Sequence, residues 1–280
     1  MLDCRHGRAL LYVNSCKGYL LWDPRTGEER RIRNAHISQD KFSTAAVMCA
    51  AGASCGHQDC HGGPFRIILV STDDEWPVTY ACVYSSESGE WSVPITLHFD
   101  YHVDELPPVL AGGGMYFMCE YGHVILRYEL HGEGTLSWFE APEHDTLHEF
   151  EDTALIPAGD CGLKYAALAT YSLHLWSMET MGADGFAGWT PLRVFELGAL
   201  LPTPVRRNSI TLIGTGPGPD ESDIIFVGTD VGIFSIGLKP RWIKKVYEGP
   251  RPDYYVIFPY SGFLTPEHFT LDRTEKVYPL

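Results

Sequence analysis

Four side chains that bind transition metals fall within one short stretch of the sequence. The stretch reads Cys-Gly-His-Gln-Asp-Cys-His and contains Cys55, His57, Cys60 and His61. Thiolate sulfur and neutral imidazole nitrogen are the ligands that zinc prefers. Structural zinc sites usually combine two short ligand pairs a dozen or more residues apart, and no second pair occurs nearby. The stretch is therefore either a zinc site or a polar surface loop between two strands.

Two further motifs have the residue types of an active site. Residues 52–56 match the Gly-x-Ser-x-Gly turn of hydrolases, but that turn leads into a helix, and here a polar loop follows. Paired carboxylates for glycoside hydrolysis occur at 73–75 and 149–152. Acidic turns on an acidic protein are the simpler interpretation, and we predict no catalytic residue.

The charge balance argues against nucleic acid as a partner. The chain has 36 acidic and 21 basic residues, a formal net charge of −15, and binding to a phosphate backbone depends on clustered lysine and arginine. The two densest basic stretches, 30–33 and 241–245, follow predicted hairpin turns, where charge protects an outer edge strand from pairing with other sheets. We therefore expect a protein partner with a basic segment.

The sequence shows no feature of a membrane or secreted protein. Apolar runs stay well below the roughly 20 residues that span a bilayer, and residues 1–8 lack a signal-peptide core. We predict a cytosolic or nuclear protein without membrane contact, in which the eight cysteines stay reduced. Cys49, Cys82 and Cys119 lie in apolar strand segments and are predicted to be core residues.

A repeated sequence motif reveals the β-strands that position these residues. Trp-Asp-Pro-Arg-Thr-Gly-Glu at 22–28 returns as Tyr-Ser-Ser-Glu-Ser-Gly-Glu at 84–90. An aromatic strand end, a polar turn with glycine and a second apolar run describe a β-hairpin. Looser copies begin at Tyr128, Trp176 and Phe234, so the copies lie 44 to 62 residues apart. Repeats of this length built from short strands are typical of β-propeller blades.

Apolar alternation predicts four complete sets of four strands and no helix of three turns. The predicted fold is one all-β domain over residues 1–280, a propeller of four-stranded antiparallel blades. An N-terminal set has only 10–13, 19–22 and 30–33, and we predict that 254–258 completes it. That gives about five blades, unless the chain is a fragment of a larger propeller. The complete sets are 45–49, 65–71, 80–85 and 91–96; 108–111, 115–119, 124–129 and 136–140; 154–157, 165–170, 172–176 and 192–197; and 210–213, 224–227, 232–236 and 242–247.

Five stretches of the sequence are similar to one known family. They are Leu-Asp-Cys-Arg-His-Gly-Arg-Ala-Leu at 2–10, Trp-Asp-Pro-Arg-Thr-Gly at 22–27, the segment 46–66, Ala-Cys-Val-Tyr-Ser-Ser-Glu-Ser-Gly-Glu-Trp at 81–91, and Phe-Pro-Tyr at 258–260. These stretches resemble the large F-box protein family of grasses. In that family an F-box docks on the Skp adaptor of a cullin ubiquitin ligase, and the β-rich region that follows recognises the protein to be ubiquitinated.

The sequence departs from that family at the F-box itself. An F-box is a leucine-rich helical segment that opens on Leu-Pro, and the Leu-Pro pairs at 106–107 and 201–202 precede no amphipathic helix. The resemblance therefore implies a target-binding region that does not bind Skp. It is a truncated gene product, a member that lost its F-box, or a receptor domain that acts as a competitor.

Two classes of function remain open. The favoured class is a non-enzymatic protein-binding module whose loops present aromatic and acidic side chains to an unknown target protein. The alternative is a glycosidase-like or metal-dependent hydrolase with its site in the central channel. The innermost strands at 45–49 and 210–213 carry no carboxylate, which favours binding without a cofactor other than zinc. Recognition should use one or more of the longest polar connections, 50–64, 98–106 and 143–151.

Overall fold

The computed structural model of the chain is a five-bladed β-propeller of antiparallel blades, as the sequence predicts. Each blade contains four strands that pair in chain order, apart from the additions given below. The described residues are 1–35, 42–51, 60, 62–73, 75–119, 122–132, 134–142, 150–158, 162–169, 171–179, 188–201, 205, 210–217, 223–239, 241–249, 256–258 and 278–279.

The strands fall into five consecutive groups along the chain. Blade 1 has β1 (Asp3–Arg5), β2 (Arg8–Val13), β3 (Gly18–Trp22) and β4 (Glu29–Arg33); blade 2 has β5 (Phe42–Cys49), β6 (Phe65–Thr72), β7 (Val78–Ser85), β8 (Glu90–Trp91) and β9 (Ile95–His98); blade 3 has β10 (Val109–Ala111), β11 (Gly114–Met118), β12 (Val124–Glu129) and β13 (Leu136–Glu140); blade 4 has β14 (Phe150–Pro157), β15 (Leu163–Ala169), β16 (Ser172–Met178) and β17 (Trp189–Glu196); blade 5 has β18 (Thr211–Pro217), β19 (Asp223–Thr229), β20 (Gly232–Leu238), β21 (Arg241–Glu248) and β22 (Tyr278–Pro279). In blade 2 the outer edge is shared, because β8 and β9 both pair with β7. Contacts of β14 with β10 and β18, and of β1 with β5, place the first strand of each blade at the ring axis.

Blade 1 is complete without the C-terminal segment, so the predicted closure by residues 254–258 is wrong. Asp3–Arg5 is its innermost strand and pairs with Arg8–Val13. Two charged residues in a three-residue strand leave no apolar alternation, which is why the sequence pattern does not reveal it. Of the leftover segment, residues 256–258 are described, and the Ile257 N–H donates to the Ile213 carbonyl of blade 5 at 2.7 Å.

Apolar side chains from both faces of the blades fill the spaces between them. In β6, Ile67 and Leu69 pack towards blade 1, whereas Ile68 and Val70 pack towards blade 3. Successive side chains of a strand point to opposite faces, and a strand buried on both faces needs a continuous apolar run. Among the described residues, such clusters join blade 1 to 2, 2 to 3, 3 to 4 and 4 to 5.

The repeated sequence motif forms the same turn twice, which confirms the predicted β-hairpins. Gly27 and Gly89 have φ angles of 75° and 74°, and their N–H groups donate to the carbonyls of Asp23 and Ser85 at 2.8 and 2.9 Å. Residues with a Cβ are strained in this left-handed region. Glycine therefore ends both turns and sets the register of the outer strands.

The two basic stretches lie on outer strands, but only one of those strands is an edge among the described residues. Residues 30–33 belong to β4, which has β3 as its partner. Residues 241–245 belong to β21, where Trp242 and Ile243 also pair with Tyr278–Pro279. The prediction of a protected edge is therefore confirmed for β4 and only partly right for β21.

Helical structure is minor in the described part of the chain. It consists of a four-residue helix, α1 (Leu197–Leu200), and a 3₁₀ turn at Asn14–Cys16, so the prediction of no helix of three turns is confirmed for these residues. Neither element has the length and apolar content required to cross a bilayer.

The three cysteines that the sequence predicts to be core residues are buried, and burial lowers the reactivity of their thiols. Cys49, Cys82 and Cys119 are at most 3% exposed. Burial raises the pKa of both Cys82 and Cys119 to about 12, so about 1 thiol in 10⁴ would be ionised at pH 8. Cys16 is exposed.

We expect iodoacetamide at pH 8 to alkylate Cys16 in the folded protein and to leave Cys82 and Cys119 unmodified. Peptide mass spectrometry resolves each site, and urea should expose all three thiols to the reagent. Alkylation of Cys82 at the rate of Cys16 without denaturant would contradict this burial.

Candidate functional site

The turn between β6 and β7 lies beside the connection from β9 to β10. Because β7 and β9 are antiparallel, Val78 at the start of β7 pairs with His98 at the end of β9. The Phe99 N–H then donates to the Pro77 carbonyl at 2.9 Å, and the Val103 N–H donates to Thr72 Oγ1 at 3.2 Å. The two connections thus form one surface at the end of blade 2.

Asp73 shapes the first of these connections. Its Oδ1 accepts the N–H groups of Glu75 and Trp76 at 3.0 and 3.3 Å, an arrangement by which aspartate stabilises turns. The turn directs Trp76 outwards, and its side chain is 67% exposed. A large exposed aromatic residue in a well-formed turn has a geometry suited to contact with a partner.

Further aromatic side chains surround the second connection. The ring of Phe42 lies 4.4 Å from the imidazole of His102. Phe99 is buried and contacts Tyr101 and Trp138 at ring distances of 5.5 and 6.0 Å. Phe99 therefore supports two rings that are exposed by 41% and 45%.

Acidic residues alternate with these rings. Segments 72–77 and 98–106 together contain six carboxylates and no lysine or arginine. We call this end of blade 2, together with Trp138 of blade 3, the aromatic–acidic surface. Its described members are Phe42, Asp73, Glu75, Trp76, Asp100, Tyr101, His102, Asp104, Glu105 and Trp138. Aromatic faces and carboxylates both attract the cations of lysine and arginine.

Of the three long polar connections predicted to take part in recognition, one belongs to this surface, and its use in recognition stays a prediction. Residues 98–106 contribute to the aromatic–acidic surface. Connections 50–64 and 143–151 lie largely outside the described residues. Neither Trp76 nor Phe42 belongs to one of the sequence motifs described above. A tryptophan inside the turn Asp-Asp-Glu-Trp-Pro is nevertheless a detectable signal, since such turns are normally polar.

Of the predicted zinc ligands, only Cys60 is described. It is 6% exposed, and its carbonyl accepts a hydrogen bond from Arg8 Nη2 at 2.8 Å. Cys55, His57 and His61 lie outside the described residues. The part of the chain that the structure does describe contains no group of three or more potential metal ligands, so zinc binding stays a prediction.

The innermost strands β5 and β18 carry no carboxylate, as expected from 45–49 and 210–213, whereas β1, which the sequence did not reveal, and β14 carry Asp3 and Asp152. Asp3 is 2% exposed, and its Oδ2 accepts the Val47 N–H of blade 2 at 2.8 Å. Asp152 Oδ2 accepts the Leu212 N–H of blade 5 at 3.0 Å. Both carboxylates therefore join neighbouring blades through main-chain amides.

A cavity of about 200 Å³ at the ring axis is lined by Arg5 and by first strands of several blades. Arg5 Nε lies 3.1 Å from Asp3 Oδ2, and Arg5 Nη2 donates to the Pro108 carbonyl at 2.6 Å. Burial raises the pKa of Asp3, while Arg5 and the Val47 amide act in the opposite direction. The axial carboxylate thus forms a structural ion pair within blade 1 and a hydrogen bond to blade 2.

The chain is similar to solved structures in its propeller architecture. The chain matches the major Malassezia sympodialis allergen Mala s 1 with a TM-score of 0.50 and 13% identity, over 89% of this chain and 78% of the allergen. It is less similar to the WD40 domain of SCAP from fission yeast (TM-score 0.41, 13% identity, 91% of this chain and 56% of that one). The Pyrococcus horikoshii acylaminoacyl peptidase matches with a TM-score of 0.34 and 11% identity, over 91% and 44% of the two chains.

The fold is what the chain shares with the allergen. No family model matches the sequence, and no curated protein does. At this level of identity the likeness carries no activity or ligand from one protein to the other. The function must therefore be argued from the surface chemistry of this chain.

Proposed function

We propose that the chain is a non-enzymatic protein-binding module that recognises a lysine- or arginine-rich segment of a partner through the aromatic–acidic surface. A propeller fits such a role, because it presents connections from several blades on a rigid ring. The supporting observation is the exposed Trp76 and Tyr101 on two adjoining connections, 72–77 and 98–106, whose sequences contain six carboxylates and no lysine or arginine.

The resemblance to F-box proteins of grasses suggests what such a partner is for. In that family the β-rich region selects proteins for ubiquitination, and we propose the same selection of a cytosolic or nuclear target here.

The recognition chemistry predicts two separable contributions. Exposed tryptophan and tyrosine supply the contact area at which a few residues dominate affinity. Carboxylates at the rim accelerate association and make it sensitive to salt. Loss of the rings should therefore mainly raise the dissociation rate, whereas loss of charge should mainly lower the association rate.

Selection from a display library of random decapeptides tests the proposal. We expect the chain to enrich peptides with clustered lysine and arginine. Combining Trp76→Ala and Tyr101→Ala should weaken the best peptide at least tenfold, and combining Glu75→Gln, Asp100→Asn and Glu105→Gln should lower its association rate about tenfold at low salt.

A matched control removes the same number of charges elsewhere. The control variant combines Glu28→Gln, Glu29→Gln and Glu87→Gln at residues of the two repeated hairpins. Its affinity for the best peptide should stay within twofold of that of the unmodified chain. Enrichment of acidic or uncharged peptides, or equal losses in both charge-neutralised variants, would reject the aromatic–acidic surface as the binding site.

A further inference from the structure

A groove of about 540 Å³ opens between the outer parts of blades 2 and 3. Pockets that hold small molecules commonly fall between 300 and 1,000 Å³. Arg66, at the groove, and Thr72, beside the aromatic–acidic surface, lie six residues apart on β6, a distance of about 20 Å. The groove is therefore separate from the surface to which we assign partner binding.

The floor of the groove is apolar. Ile68 and Val83 come from blade 2 and Leu130 from blade 3, and all three belong to or pack against the apolar cluster that joins these blades. Along β7 the groove extends from Ser85 to Ala81, about 13 Å at the rise of a β-strand. An elongated apolar body of that length would fit along the floor.

The interface between blades 2 and 3 differs from two other interfaces in the residue type at one repeated position. At the start of outer strands, Trp91 of blade 2 and Trp189 of blade 4 donate their indole N–H groups to the carbonyls of Arg33 and Glu140 in the preceding blades. In blade 3 the residue at the start of the outer strand is Leu136, which packs against the cluster between blades 2 and 3. A leucine thus occupies, between blades 2 and 3, the strand position at which the interfaces between blades 1 and 2 and between blades 3 and 4 have an indole.

Arg66 places a positive charge at the end of this apolar floor. It is exposed and makes no ion pair with another described residue. Tyr128 also lines the groove, and although burial raises the pKa of its phenol, Arg66 acts in the opposite direction. The guanidinium is thus within electrostatic reach of the Tyr128 hydroxyl.

Among the residues that the structure describes, Glu90 is the acidic residue that lines the same groove. In the register of the blade, Arg66 pairs with Ser85 and Ser85 pairs with Glu90. Two strand spacings separate the backbones of Arg66 and Glu90, about 10 Å. Glu90 therefore repels an anion bound at Arg66 without neutralising the guanidinium directly.

We propose that the groove binds a small organic acid with an elongated apolar body and a single carboxylate. The carboxylate pairs with the Arg66 guanidinium, for which a two-oxygen acceptor is the matching shape. The apolar body lies on Ile68, Val83 and Leu130. This chemistry follows from a cation without an ion-pair partner in the described chain, placed beside open apolar surface in a protein of net charge −15.

Calorimetric titration of the whole chain with decanoate tests the assignment, with 1-decanol and decyltrimethylammonium as matched probes. Decanoate should bind with one-to-one stoichiometry. The alcohol should bind at least tenfold more weakly because it lacks the charge, and the ammonium probe should give no measurable heat. Equal affinity for decanoate and decanol, or no binding of decanoate, would overturn the proposal.

Variants of this chain separate the charge from the floor. Arg66→Gln should lower the affinity for decanoate at least tenfold, and Glu90→Gln should raise it two- to threefold. Arg31→Gln, on outer strand β4, should leave the affinity unchanged. Unaltered binding by Arg66→Gln would overturn the assigned role of the guanidinium.

Filling the groove should abolish binding without unfolding the chain. Leu136→Trp introduces the indole that is found between blades 1 and 2 and between blades 3 and 4. The melting temperature of this variant reports whether the blade still folds. If this variant is unfolded, Leu130→Glu serves the same purpose by placing a carboxylate beside the bound anion. Full decanoate affinity in a folded variant of either kind would show that the probe binds elsewhere.

Discussion

Replacing Asp3 with alanine should lower the free energy of unfolding by about 3–5 kcal/mol, the range observed when one partner of a buried ion pair is removed. Asp3 neutralises Arg5, whose side chain is only 16% exposed, and it accepts the Val47 N–H of the next blade. The variant leaves both groups without that partner at the ring axis. Urea unfolding followed by circular dichroism measures the change.

Two comparisons separate the ion pair from the hydrogen bond. Asp152→Ala removes the carboxylate that accepts the Leu212 N–H between blades 4 and 5, and it should cost about 1–2 kcal/mol. The double variant Asp3→Leu, Arg5→Met should be more stable than Asp3→Ala, because no unpaired charge remains buried. If Asp3→Ala and Asp152→Ala lowered the free energy of unfolding equally, burial of Arg5 at the ring axis without a counter-ion would cost no additional stability.

The sequence predicts the blades well because each central strand is buried on both faces. Apolar runs such as Ile67 to Val70 and the paired turns at Gly27 and Gly89 mark strand positions directly. Asp3–Arg5 gives no such signal, since its stability comes from contacts with Val47 and Pro108 that are distant in the chain. Closure of blade 1 therefore depends on polar contacts that local periodicity does not register.

The candidate site could be predicted only in part, for a related reason. The acidic character of 98–106 is evident in the sequence, but its proximity to Trp76 depends on the antiparallel pairing of β7 with β9. The predicted strands 80–85 and 91–96 already implied that pairing, so the neighbouring turn could have been located by register. The groove at Arg66 could not be predicted in this way, because it is lined by side chains of blades 2 and 3 that are distant in the chain.

Replacing Tyr165 with alanine should also destabilise the chain by about 3–5 kcal/mol, as expected for deleting a fully buried aromatic side chain. Tyr165 is 1% exposed on β15 of blade 4. Its ring contacts Trp176 and Trp189 at centroid distances of 5.7 and 5.9 Å. Its hydroxyl donates to the Gly122 carbonyl of blade 3 at 2.9 Å, so one side chain both fills the interface and joins two blades.

Tyrosine-to-phenylalanine variants divide this effect into packing and hydrogen bonding. Tyr165→Phe keeps the ring and removes the donor to Gly122, so it should cost about 1–2 kcal/mol in urea unfolding. Tyr19→Phe is the matched control. Tyr19 is 3% exposed, and its hydroxyl makes no hydrogen bond to another described residue, so the change should stay below about 0.5 kcal/mol. If Tyr165→Phe were as stable as Tyr19→Phe, packing of the ring alone would hold blade 4 against blade 3.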